Sequence, residues 1–251
     1  MKLIHILIFI VLVFTSEMAL AQQTIINVPS DALTPKGSHF VLHESQFSPR
    51  SKKATYTTTN FYTYGLTDNT ELAATLYSVD NFGSELGALG LGWKSTYEVF
   101  QEEMPELKVK WTSGFMLPIS VEKTHDQVGW FPYSHVTFAV PDTELRLLMG
   151  AAAGSNNLFG EQAASALAGV EYPLTEHWSF TGEWFSGNHN LSGLIPGFTY
   201  HNKDRMFVIG YKLPNNFDPR ENALVVEGGV FWGGSKSKDD RAAISHYGIR
   251  E

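Results

Sequence analysis

Residues 107–119, LKVKWTSGFMLPI, alternate with a period of two. Leu107, Val109, Trp111, Phe115, Leu117 and Ile119 fall on one face, interrupted only by Ser113; Lys108, Lys110, Thr112, Gly114 and Met116 fall on the other, up to Pro118. Successive side chains of a strand point to opposite sides, so this segment is a strand with one greasy face and one polar or small face. The rhythm recurs along the chain. Leu89, Leu91 and Trp93 oppose Gly90, Gly92 and Lys94. Leu145, Leu147 and Met149 oppose Glu144, Arg146 and Gly150, and Trp178, Phe180 and Trp184 oppose Ser179, Thr181 and Glu183. Phe207, Ile209 and Tyr211 oppose Val208, Gly210 and Lys212, while Leu224, Val226, Val230 and Trp232 oppose Val225, Glu227, Gly229 and Phe231. With less regular segments at 38–47, 55–65, 70–79, 128–139, 161–172 and 194–201, the alternation predicts about twelve strands.

The connections differ by side. Those at 66–69, 140–143, 173–176 and 202–204 are short and built from turn formers, with 100–106 somewhat longer. Those around 48–54, 80–85, 119–127, 154–160, 188–193 and 214–221 are mostly longer and richer in Gly, Asn and Ser. An even strand count with short turns at one end and longer loops at the other is the build of an all-β, antiparallel up-and-down transmembrane β-barrel, with both chain ends on the periplasmic side. Aromatic residues fall at two levels. Tyr64, Tyr97, Trp111, Tyr172, Trp178, Phe198, Tyr200, Phe207 and Trp232 lie near the short turns; Phe115, Trp130, Trp184 and Tyr211 lie near the loops. Two such belts mark the water–lipid boundaries of a spanning barrel. A soluble β-sandwich also alternates. It is disfavoured by the small residues on the polar faces (Gly90, Gly92, Gly150, Ala152, Gly169), which suit a crowded barrel interior better than a solvated sheet.

Composition agrees. Of 251 residues, 18% are charged and 13% aromatic, the net charge is −8 and there is no cysteine. The charged share is below the roughly 25% of ordinary domains. The acidic balance excludes a nucleic-acid binder, and the missing cysteine excludes disulfides, thiolate metal sites and lipid attachment through cysteine. Residues 1–21 have the form of a cleavable export signal: Lys2, the apolar run Leu3 to Phe14, then Ala19-Leu20-Ala21 before Gln22. An uncleaved anchor helix is the alternative, although the run is short for one. The expected organisation is a signal peptide at 1–21, an N-terminal periplasmic segment at 22–37, the barrel at 38–232 and a flexible tail at 233–251. The tail holds a further strand at 244–249 in a second version of this layout.

The hairpin NFYTYGLTDNTEL, residues 60–72, resembles the periplasmic hairpin of small bacterial outer-membrane barrel proteins. The similarity is to a loose porin-like group related to the outer-membrane proteins of the phenol-degradation meta-pathway. The likeness covers this hairpin and the general rhythm over 38–232. It implies a transport-type barrel in the cell outer membrane of a Gram-negative bacterium and supplies no catalytic or binding residues. Proteins of this kind often end on an aromatic assembly signal. Val230-Phe231-Trp232 has that form, but residues 233–251 follow it.

The polar faces collect ionisable groups that are candidates to line the lumen: Lys94, Lys108, Lys110, Arg146 and Lys212; Glu144, Glu171, Glu183 and Glu227; His135 and His201. Such groups either line a water-filled channel or pair to plug it. Enzymatic signals are weaker. His43-Glu44-Ser45 lacks a second histidine four residues on and sits in a strand, so it is not the helical zinc motif. There is no G-x-S-x-G elbow and no nucleotide loop. Ser134 and His135 are strand neighbours and point apart. The expected function is a passive channel for small polar or anionic solutes, with no cofactor and no metal. A lipid-modifying outer-membrane enzyme and a closed structural or binding barrel are the other two readings. Expected partners are outer-membrane lipid and lipopolysaccharide, the barrel-assembly machinery and small solutes.

Overall fold

The computed structural model describes residues 25–50, 55–79, 85–103, 106–121, 128–141, 143, 145–159, 162–189, 191–202 and 204–233. The signal sequence, its cleavage site and the tail beyond Gly233 lie outside the described residues.

Twelve strands follow in chain order: β1 (Ser38–Ser48), β2 (Thr55–Thr67), β3 (Thr70–Val79), β4 (Glu85–Val99), β5 (Lys108–Ser120), β6 (Phe131–Ala139), β7 (Arg146–Ala153), β8 (Ala164–Pro173), β9 (Trp178–Phe185), β10 (Gly193–Asn202), β11 (Arg205–Lys212) and β12 (Ala223–Gly233). Each pairs with its sequence neighbours, and β12 closes on β1 antiparallel, Ser38 facing Gly233. Closure leaves no strand edge without a partner, the condition for a sheet to sit in hydrocarbon. No described helix is long and apolar enough to cross a membrane, which says nothing against crossing by strands. Two of the expected turns are two-residue connections: Thr67 pairs with Thr70 across Asp68-Asn69, and Asn202 pairs with Arg205. At the opposite end the β7–β8 loop carries a single helical turn, α1 (Asn156–Phe159).

Register fixes which side chains face out. Leu91, Trp93, Tyr97, Trp111, Leu147, Tyr172, Trp178, Trp184, Phe198, Tyr211 and Trp232 are large, apolar or aromatic, and exposed. Several pack on their cross-strand partners: Tyr97 stacks on Trp111 and Trp178 meets Tyr200 at a tilt, with ring centroids 6.1 and 5.1 Å apart. On the inner side Gly114 faces Tyr133 across β5 and β6, where a Cβ would collide with the tyrosine ring. The aromatic side chain covers the bare backbone of the glycine.

The interior is not lined by polar groups alone. Phe40, Leu42, Ile195, Val208, Val225 and Phe231 face inward and are buried. The physical reason lies in the N-terminal segment. Its backbone and side chains bond to inward residues of β1, β3, β5, β7 and β9 (Gln46, Glu71, Lys110, Arg146 and Glu183), and only the inside of the barrel touches all of these. The segment expected at 22–37 in the periplasm is therefore threaded, from residue 25 to residue 35, through the lumen. It starts beside Glu183, in the loop half of β9, and descends past Arg146 and Lys110. At the short-turn end Lys36 bridges Gly65, and Gly37 N–H donates to the Gly65 carbonyl (2.8 Å) before the chain reverses into β1. Ile25, Ile26 and Val28 pack into the apolar cluster formed by the wall residues above. A barrel of this size is wider than the side-chain-filled eight-stranded case, so its interior has room for chain, and this segment occupies it.

Candidate functional site

The charged interior is organised by one residue of that segment. Asp31 is buried, pairs with the Arg146 guanidinium, and lies 3.4 Å from Lys110 Nζ. Arg146 also donates to Glu171 Oε2 at 2.6 Å, and His201 Nε2 lies 4.0 Å from the other oxygen of Glu171. The cross-strand register sets this up, because Arg146 of β7 stands opposite Glu171 of β8. A second pair, Lys94 and Glu71 at 3.1 Å, is nearly water-free; Glu71 also accepts the Thr34 N–H at 2.7 Å. Thr34 Oγ1 meets Thr63 Oγ1 at 2.5 Å.

Glu183 anchors the start of the segment. Its carboxylate accepts the N–H groups of Ile26, Asn27 and Val28 at 2.7–2.9 Å. Successive amides converging on one anion form a nest of partial positive charge. Gly169 leaves the space that the end of the Ile25 side chain occupies, where a Cβ would meet it. The small inward residues noted in the sequence thus leave room for chain, in this instance, rather than for solvent.

Of the sequence candidates, Lys94, Lys110, Arg146, Glu171 and Glu183 contact the segment or its ion pairs, and His201 reaches Glu171. Lys212 is buried with Glu44 and Glu183 as its electrostatic neighbours. His135 is buried and stacked on Tyr133. Ser134 faces outward and accepts from Trp111 Nε1 at 2.9 Å. Lys108 is exposed at the start of β5, away from the packed interior. Glu144 lies outside the described residues.

Glu227 is fully buried opposite Glu44 across β12 and β1, and neither of its carboxylate oxygens has a hydrogen-bond partner among the described residues. Two facing carboxyl groups are poorly matched, whereas an amide can donate to its neighbour. Glu227→Gln is therefore expected to stabilise the barrel by about 1 kcal/mol, a rise of roughly 2–4 °C in the thermal midpoint. Circular dichroism in detergent measures it, and a lowered midpoint contradicts the assignment.

Sequence reading missed Asp31, Glu44 and Glu71. Glu71 and Glu44 occupy inward positions of strands whose alternation is weak, and strict parity counting would have found both. Asp31 had only an indirect signal, the cations of β4, β5 and β7 in need of an acid.

A serine–histidine contact occurs at the loop end. Ser165 Oγ lies 2.9 Å from His189 Nε2, which also lies 3.1 Å from the Ser186 carbonyl. The carbonyl marks Nε2 as the protonated nitrogen, so Ser165 accepts and is not activated. Burial pushes the His189 imidazole below its ordinary value. The ring packs on Phe159 and Phe185, a structural role.

No protein-family model and no curated protein matches the chain. Among solved structures, the KdgM porin in complex with disordered oligogalacturonate is similar at a TM-score of 0.51 and 10% identity, over 79% of this chain and 99% of that one. An outer-membrane channel from Pseudomonas putida F1 is similar at a TM-score of 0.47 and 12% identity, over 80% and 97%. The likeness is to the barrel fold and carries no mark of the phenol-degradation group in particular. The chain has the closed, twelve-stranded antiparallel fold of an outer-membrane porin.

Proposed function

We propose that the protein is an integral barrel of a Gram-negative outer membrane and a passive channel for small polar or anionic solutes, closed by its own N-terminal segment. The observation that carries this reading is Asp31, a counter-ion on the segment for two wall cations, Lys110 and Arg146. If the segment withdraws, Lys94, Lys110 and Arg146 outnumber Glu71 and Glu171 towards the short-turn end, a local field that favours anions. The porin fold supports a route along the barrel axis, and the aromatic outer surface supports lipid and lipopolysaccharide as its surroundings. The signal at 1–21 would export the chain, and the β12 ending Val230-Phe231-Trp232 is the element the assembly machinery would read.

Planar-bilayer recording tests the channel. The expected result is brief openings for the wild type and a much higher open probability for Asp31→Asn, with a reversal potential on the anion side. Absence of conductance from both proteins across many insertions sinks the reading. Migration in detergent gels checks the barrel itself: a folded, faster band must convert on boiling.

A further inference from the structure

The outward faces of β1 and β2 break the greasy pattern of the barrel. His43 and Ser45 are two apart on β1 and so share the outer face, and Asn60 of β2 is the cross-strand partner of His43. Their side chains form a directed chain. Ser45 Oγ lies 3.0 Å from His43 Nε2, and His43 Nδ1 lies 2.8 Å from Asn60 Oδ1. Tyr56 OH lies 2.9 Å from the same Ser45 oxygen. His43 is exposed, and Ser45, Asn60 and Tyr56 are half-buried on this outer surface.

Each contact has a chemical consequence. The amide oxygen of Asn60 accepts only, so Nδ1 carries the proton and Nε2 presents its lone pair to the Ser45 hydroxyl. That is the arrangement of an activated nucleophile, a base within hydrogen-bond reach and a third group that fixes the tautomer of the base. The Ser165–His189 contact has a similar separation, 2.9 Å, but the opposite polarity. With the Ser45 proton directed at His43, Tyr56 donates its O–H to Ser45 Oγ and helps hold that oxygen in place.

We propose that Ser45, His43 and Asn60 form a hydrolase site for carboxylic esters, with membrane acyl lipid as the substrate. The commitment to lipid comes from the location: the nucleophile faces out of the barrel, between aromatic levels, where lipid is the medium. Ser45 attacks the ester carbonyl and gives its proton to His43 Nε2. The carbon–oxygen bond to the alcohol breaks, and the alcohol leaves with that proton. Water then attacks the acyl-Ser45 ester, His43 takes its proton and returns it to Ser45, and a carboxylic acid departs. No cofactor or redox partner is needed. Ser45 lies in the half of β1 nearer the loops, so on the proposed membrane orientation the lipid comes from the outer leaflet. The choice of lipid and of its leaflet rests on the outer-membrane reading, and the chemistry is independent of any conductance.

Full-length protein folded in detergent is treated with a fluorophosphonate probe and, separately, mixed with micelles and vesicles of phosphatidylcholine and phosphatidylethanolamine, with fatty-acid release as readout. The expected result is labelling at Ser45 in the folded band and release of fatty acid. Ser45→Ala and His43→Ala should each lower release by about a thousandfold or more. Asn60 is a positioning residue. Asn60→Ala should lower the rate and shift its pH profile, and Asn60→Asp should restore most of it. Ser134→Ala, on the same outer surface, should change nothing. Heat-modifiable migration verifies that each variant folds. No labelling at Ser45 in a folded protein, or release unchanged in Ser45→Ala, overturns the site. Labelling at Ser45 without release from either lipid overturns lipid as the substrate. A silent bilayer with active hydrolysis removes the channel reading and leaves this one standing.

Discussion

Replacing Glu183 with leucine is expected to free residues 25–28 from the barrel wall and convert a closed lumen into a conducting one. The carboxylate takes three successive backbone N–H groups, and leucine offers no acceptor to any of them. Ile26 and Val28 are buried, so their amides would lose the carboxylate without gaining water while the segment stays in place. Leaving such groups uncompensated costs about 3–5 kcal/mol. The apolar packing of Ile25, Ile26 and Val28 opposes release, yet much of that burial is recovered only if the segment keeps its present path. The expected result is loss of exchange protection at the amides of residues 26–28, together with long-lived openings in planar bilayers. Glu183→Gln, which keeps one acceptor oxygen, should fall between wild type and leucine. Full protection of those amides in Glu183→Leu would show that packing alone holds the segment.

The second large effect is at the other end of the plug. Gly65 closes against the backbone of residues 34 and 35, and a Cβ there would collide with the carbonyl oxygens of Thr34 and Pro35. These are main-chain atoms and cannot rotate away. Gly65→Val should displace Thr34 from Glu71 and Thr63, at a cost of about 1–3 kcal/mol or more for forced overpacking. Gly65 sits at the end of β2, beside the register shift before Thr67, so the barrel pairing should survive. The protein has no cysteine, which makes the measurement direct. Thr34→Cys alone should resist a maleimide reagent, and the same cysteine with Gly65→Val should react quickly while the folded band persists. Equal reactivity in the two proteins contradicts the proposed role of Gly65.

The segment is held at its two ends, by Glu183 and by Gly65. Between them Asp31 neutralises wall cations, so the segment is held electrostatically in the middle and through its backbone at both ends. The outer surface obeys a different rule. There, large apolar side chains are exposed, and polar ones satisfy each other, as His43, Asn60, Ser45 and Tyr56 do.

Much of this was legible in the sequence. Alternation over 107–119 and its repeats determined the strands, because the two-residue period is a property of the extended backbone itself. Turn chemistry at Asp68-Asn69 and its counterparts determined which ends are short. The outward and inward assignment of Trp111 and Lys110, or of Trp184 and Glu183, followed from parity alone. What only the tertiary structure decided is where residues 25–37 go and what they do to the lumen. No local pattern says that Asp31 meets Arg146, 115 residues away, or that the amides of residues 26–28 converge on Glu183. Nor does the sequence pair Asn60 with His43, since strand register depends on the whole closed sheet. Periodicity reports what the neighbouring backbone dictates; partners brought together by closure carry no periodic trace, so only the folded barrel reveals them.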